Sequence, residues 1–246
     1  MKKKREEIII HRPVVWVTGA SRGIGREIAK QFAFLGCEVC LSSRNQKRLE
    51  TAAKEIIKLG GRAHVFPLDV KNQKSILFVV KQIQKKVGQV DVLINNAGIT
   101  VFKTFIDTTL GEFNNIIQTN LNGPIECIKA VLPGMIKRKN GWIINIVSDA
   151  AIKTIEGSAA YTASKSGLLA LGKILREEVR QFNIKVVNVL PGAASTDMWN
   201  PKMRKKYSYR MMKAKSVAEA ILSVYQMPDD VVVDEIVVRP VLGDLS

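Results

Sequence analysis

Apolar and polar positions follow two periods that alternate along the chain. Val14-Val15-Trp16-Val17 is an unbroken apolar run ending at a turn, the mark of a strand buried on both faces. Arg26 to Leu35 has helical composition and stops at Gly36. The couplet recurs: Cys37 to Ser43 predicts a second strand and Gln46 to Leu59 its helix, and Ala63 to Phe66 a third strand with a helix over Gln73 to Val87. Asp91 to Ile94 is the fourth strand. Glu112 to Lys137 predicts a long helix, which Pro124 and Pro133 are expected to disturb. Trp142 to Val147 gives the fifth strand, Ser158 to Gln181 a helix, and Lys185 to Leu190 the sixth strand. Residues 193–215 show no clear period. Ser216-Val217-Ala218-Glu219 has capping-box spacing and predicts the start of a last helix, and Glu235 to Val238 predicts a seventh strand. Strand and helix alternate with no repeat and no linker, which argues an α/β fold: a parallel sheet covered on both faces.

Composition narrows the class. A chain of 246 residues, 46% hydrophobic, suits one domain, residues 13–246, after a basic tail over 1–12. No apolar run approaches the ~20 residues of a membrane span. Ile8-Ile9-Ile10 after the basic start is too short for a signal-peptide core. A soluble, cytoplasmic protein is expected. Cys37 and Cys40, three apart in a strand, point to opposite faces and read as buried thiols rather than a metal or redox pair. His11 and His64 stand in no constellation, so neither a histidine triad nor a metal site is expected. The net charge of +16 comes with no nucleic-acid motif and reads as a lysine-rich surface, so no nucleic-acid partner is expected.

Two stretches carry chemistry. Thr18-Gly19-Ala20-Ser21-Arg22-Gly23-Ile24-Gly25 lies between the first strand and its helix. Glycines there let backbone approach a pyrophosphate, and the helix N-terminus offers free N–H groups. A dinucleotide site usually places an acid about 20 residues further on, bonding the ribose 2′-hydroxyl. Here the second strand ends Leu41-Ser42-Ser43-Arg44, without an acid. Arg44 and Arg22 suit a 2′-phosphate, which points to NADP(H) over NAD(H). The second stretch is Ser148 to Lys165. Tyr161 and Lys165 are four apart at the head of a helix and share a face. A lysine charge there is expected to lower the tyrosine pKa and fit it for proton exchange, with Ser148 holding a substrate oxygen.

The assembled motifs resemble the short-chain dehydrogenase/reductase family from about Val14 to Pro240. Thr18-Gly19-x-x-x-Gly23-x-Gly25 is similar to its cofactor loop and Asn95-Asn96-Ala97-Gly98 to its strand-four motif. Asn120, Ser148, Tyr161 and Lys165 resemble its tetrad, and Pro191-Gly192-x-x-x-Thr196 its nicotinamide motif. The resemblance implies a Rossmann-type, doubly wound sheet of about seven strands. It implies Tyr161 as acid/base, Ser148 as the group orienting the carbonyl, Lys165 on the nicotinamide ribose and Asn120 anchoring a water. It also implies Asp69 and Val70 beside the adenine, Asn96 to Gly98 beside the adenosine, and Pro191, Gly192 and Thr196 at the carboxamide. Residues 193–215 would cover the substrate, and family members are commonly dimers or tetramers. The end of the chain resembles the branch with Glu235-Ile236-x-x-Arg239-Pro240 rather than Gly-Gly. The expected activity is NADPH-dependent carbonyl reduction. Two substrate readings stay open: a small ketone or alcohol, and a 3-oxoacyl thioester on acyl carrier protein or coenzyme A, drawn by the basic residues between Lys202 and Lys215. A cofactor-bound sensor with little turnover is the alternative from another class.

Overall fold

The computed structural model describes residues 12–243, so all but the last residue of the expected basic tail lies outside the described residues. Seven strands form one sheet in the order β3-β2-β1-β4-β5-β6-β9, and every pairing is parallel. They are β1 (Val14–Thr18), β2 (Glu38–Ser42), β3 (Arg62–Val65), β4 (Val92–Asn95), β5 (Gly141–Ile146), β6 (Ile184–Pro191) and β9 (Glu235–Val238). The helices are α1 (Gly23–Phe34), α2 (Gln46–Lys58), α3 (Gln73–Lys86), α4 (Leu110–Ile117), α5 (Gly123–Arg138), α6 (Ala159–Val179), α7 (Pro201–Tyr207) and α8 (Ala214–Tyr225). Alternation along β1 sends Val15 and Val17 to one face and Val14 and Trp16 to the other. The first face is covered by Ile28, Leu49 and Ile221 of α1, α2 and α8, the second by Val79, Val131 and Leu175 of α3, α5 and α6. Strand order reverses between β1 and β4, the place where open α/β sheets form their crevice. Cys37 packs in the first face's core and Cys40 in the second's, and both are free thiols.

One expected break is present and three expectations change. The long fourth helix is interrupted by a π-helical turn over Gln118–Asn122, just before Pro124, which has no N–H for the Asn120 carbonyl. Pro133, by contrast, does not stop α5, because it lies on the exposed side, where water takes the freed carbonyl. Residues 193–215 are structured: β7 (Ala194–Ser195) pairs with β8 (Met212–Lys213) around α7. The Ser216 capping box does not form. Helix α8 starts two residues earlier, at Ala214, and Glu219 pairs with Lys215 instead.

A ladder of side-chain amides crosses the middle of the sheet. Asn95 donates to Asn145 at 3.0 Å, Asn145 to Asn188 at 3.1 Å, and Asn188 to the Leu169 carbonyl of α6 at 3.3 Å. Each amide donates to the next acceptor, which leaves Asn95 Oδ1 at the start of the row buried without a partner. Gly172 lets α6 come this close: a Cβ there would stand 2.2 Å from Asn188 Oδ1. Gly172→Ala is therefore expected to push α6 off the sheet and cost roughly 1–3 kcal/mol, the usual scale of overpacking. A denaturant midpoint equal to that of the parent would contradict this.

Candidate active site

The loop after β1 is built around close approach. Gly19 and Gly23 hold φ of +67° and +57°, the left-handed region that favours glycine. A Cβ on Gly19 would meet Ala97 Cα at 2.8 Å, and one on Gly25 would meet Asn96 Nδ2 at 2.3 Å. Asn96 explains this crowding. Its amide donates to the Thr18 carbonyl at 3.0 Å and the Gly19 carbonyl at 3.2 Å, while the Thr18 hydroxyl accepts from the N–H groups of Asn96 and Ala97, both at 3.1 Å. The end of β4 is thus tied to the loop after β1. Helix α1 begins in the loop, with no side chain capping its N-terminal N–H groups.

A cavity of about 1250 Å³ runs from this loop across the C-terminal ends of the strands, larger than the usual 300–1,000 Å³ of a small-ligand site. Nearly every residue expected at the site lines it: Gly19, Ser21, Arg22, Gly23 and Ile24; Arg44, Asp69 and Val70; Asn96, Ala97 and Gly98; Ser148, Tyr161 and Lys165; and Pro191, Gly192 and Thr196. Gly25 and Asn120 do not. Gly25 sits behind the loop against Asn96. Asn120 is fully buried, its Oδ1 accepting from the Ile99 N–H at 2.9 Å and its Nδ2 donating to the Ile99 carbonyl at 2.9 Å and Ser164 Oγ at 3.0 Å. Arg22 reaches across the cavity to Asp197 at 3.5 Å, and Arg204 holds the same carboxylate.

Tyr161 and Lys165 lie one turn apart on α6, as their spacing predicts. Lys165 Nζ stands 5.8 Å from the Tyr161 ring centroid and donates to the Ile146 carbonyl at 2.7 Å. Burial pushes the lysine down to about 8. The phenol differs from expectation: it is pushed up, not down. Burial is the main cause, the hydrogen bond with Ser148 works against it, and the Asp149 charge adds to it. Ser148 Oγ accepts from the Ala150 N–H at 3.1 Å and donates to Asp149 Oδ1 at 3.4 Å.

The lining fits a dinucleotide. Ser43 and Thr100 line the cavity, and their hydroxyl oxygens are buried without a hydrogen-bond partner. Ser43 stands beside the exposed Arg44, so a hydroxyl and a guanidinium wait together at the end of β2. Sequence reasoning missed Ser43, Thr100 and Asp149. It also missed Phe102 and Trp199, whose rings stack at 5.8 Å over the mouth from opposite loops. A signal existed for Asp149, a charge directly after Ser148; none existed for the aromatic pair, which meets only in space.

The family model described as short chain dehydrogenase matches residues 13–207. The chain belongs to this family. It is an NAD(P)-dependent oxidoreductase, and its sheet is the family's Rossmann-type fold. An uncharacterised oxidoreductase of Staphylococcus aureus (strain MW2) is 32% identical over 92% of this chain and 96% of its own. The ketoacyl reductase HetN of Nostoc sp. (strain PCC 7120) is 38% identical over 74% of this chain and 63% of its own. A metagenomic short-chain oxidoreductase solved in complex with NADP is 33% identical, covering 93% of this chain and 96% of its own, with a TM-score of 0.82. Among the described residues no helix is long and apolar enough to cross a membrane.

The tie between Asn96 and the glycine loop yields a prediction. Gly25→Ala should displace the Asn96 amide and weaken NADPH binding about fivefold or more, since a partner left unmatched in a buried site costs roughly 1–3 kcal/mol. Calorimetric titration reads this directly; unchanged affinity would mean that the tie does not shape the cofactor loop.

Proposed function

We propose that this protein is an NADPH-dependent carbonyl reductase with Tyr161 as the proton donor. The observation that carries the reading is that Tyr161, Ser148 and Lys165 line the same cavity as the glycine loop, Ser43, Arg22 and Arg44. When bound, the reduced cofactor supplies a hydride. The protein's own residues do the rest. Ser148 and Tyr161 converge on a carbonyl oxygen entering past Phe102 and Trp199. Reduction needs a protonated donor, and the raised phenol pKa keeps Tyr161 protonated at neutral pH. Lys165, one helical turn from Tyr161, would hold the nicotinamide ribose. Asn120 fixes the backbone of Ile99 and braces α6 through Ser164, and its carbonyl, deprived of a donor at Pro124, is the atom left for a relay water. Arg44 and Ser43 take the 2′-phosphate, with Arg22 released from Asp197 to join them. Asp69 and Val70 flank the adenine. Pro191, Gly192 and Thr196 hold the carboxamide. The NADP bound by the metagenomic relative supports this cofactor choice. A cytoplasmic assembly of two or four copies, packed through α4, α5 and α6, accounts for the exposure of Leu110 and Ile174.

A second substrate reading rests on α7, where Lys202, Lys205 and Lys206 are exposed beside the mouth. A basic rim favours a 3-oxoacyl thioester on an acidic carrier over a free ketone. The name of the Nostoc relative, a ketoacyl reductase, is consistent with it.

NADPH consumption over a panel of ketones, diketones and 3-oxoacyl thioesters tests the activity; no turnover of any would leave the sensor reading. Tyr161→Phe should lower turnover by ~10² or more, the scale of lost acid/base catalysis, with NADPH affinity little changed. Arg44→Ala should weaken NADPH about tenfold to a hundredfold and NADH hardly at all. Equal losses for both cofactors would remove Arg44 from the 2′-phosphate. For carrier-borne substrate, kcat/KM should fall steeply as salt shortens the screening length to about 8 Å at physiological ionic strength. The profile for a small neutral ketone should stay flat; matching profiles would exclude the carrier.

A further inference from the structure

Asp149 is a charged residue buried at the reacting end of the cavity, 7% exposed, in the turn that follows Ser148. Burying a carboxylate is costly unless its oxygens are matched. Here one oxygen, Oδ1, accepts the Ser148 hydroxyl proton at 3.4 Å, and Oδ2 accepts from Lys153 Nζ at 3.0 Å. The same Oδ2 lies against Gly192, where a Cβ would come within 3.2 Å of it. The carboxylate therefore stands between the Ser148–Tyr161 pair and the loop assigned to the nicotinamide. Ser148 Oγ accepts from the Ala150 N–H at 3.1 Å, and its one proton has two acceptors within reach, Asp149 Oδ1 and the Tyr161 oxygen.

We infer that Asp149 is a positioning residue that orients the Ser148 hydroxyl and sets a negative charge beside the nicotinamide loop, biasing the site toward carbonyl reduction. The inference rests on the reading of the cavity as an NADP(H) site. Its physical basis is the charge change of the cofactor. The reduced nicotinamide ring is neutral and the oxidised ring is cationic, so a nearby carboxylate favours the oxidised form that reduction leaves behind. The same charge opposes formation of the Tyr161 phenolate and keeps the donor protonated. The charged groups facing Tyr161 are Lys165 from α6, and Asp149 with its partner Lys153 from the turn after β5; Arg22 and Asp197 line the far side of the cavity.

The test uses two variants with opposite expected signs. The affinities of NADP+ and NADPH are measured separately by calorimetry for the full chain. Asp149→Asn, which keeps the shape and removes the charge, should weaken NADP+ relative to NADPH by roughly threefold to tenfold. Lys153→Met, which leaves the carboxylate unneutralised, should move the ratio the other way. In the pH profile of alcohol oxidation, which needs the phenolate, Asp149→Asn should shift the rising limb to lower pH and Lys153→Met to higher pH. A turn that merely holds structure would be damaged by either change and move both variants in one direction; that result, or an unmoved ratio with both cofactors still bound, overturns the inference. Failure of the parent protein to bind either cofactor would overturn the reading of the cavity and this inference with it. If Asp149→Asn does not fold, the sign of the Lys153→Met shift decides.

Discussion

The Asn96 amide spends both its protons on the backbone of Thr18 and Gly19, across the point where the strand order reverses. Backbone pairing joins β1 to β4 as far as Val17 and Ile94, and the Asn96 tie extends that junction into the loops that line the cavity. The tie has strict requirements. The loop must come close enough for the amide to reach, so positions 19 and 25 have no room for a side chain. The Thr18 hydroxyl must receive the N–H groups that the turn after β4 leaves over. Side-chain amides thus do here what backbone pairing does elsewhere in the sheet.

The same device carries the constraint to α6. From Asn95 the amide ladder passes through Asn145 to Asn188 and ends on the Leu169 carbonyl of α6. Gly172 on that helix removes the one obstacle to contact. The head of α6, with Tyr161 and Lys165, is therefore set by a row of hydrogen bonds that begins one residue from Asn96. Buried polar networks of this kind stiffen the core they cross, although here Asn95 Oδ1 is left without a partner.

Much of this was legible in the sequence, because the chemistry is local. Period and punctuation mark each strand of the main sheet, and the glycine loop, Tyr161 and Lys165 declare themselves by spacing. The failures have physical causes. The Ser216–Glu219 pattern reads as a cap, yet α8 begins at Ala214, where pairing of β8 with β7 delivers the chain. The Tyr161 pKa is raised chiefly by burial, which is not a property of spacing. Asn120 shows its importance in sequence but not its direction: a π turn faces its amide inward. Phe102 and Trp199, nearly a hundred residues apart, meet only through the closure of two loops.

The central claim is that one cavity, built across the strand-order reversal, takes the cofactor from the β2 end to the head of α6. Amide hydrogen exchange with and without NADPH tests it most directly. The account predicts joint protection of residues 21–25, 96–100 and 192–196, at a single NADPH concentration dependence, with β9 and the last turn of α2 unaffected. Protection confined to the glycine loop, or protection of these segments at different NADPH concentrations, would contradict it.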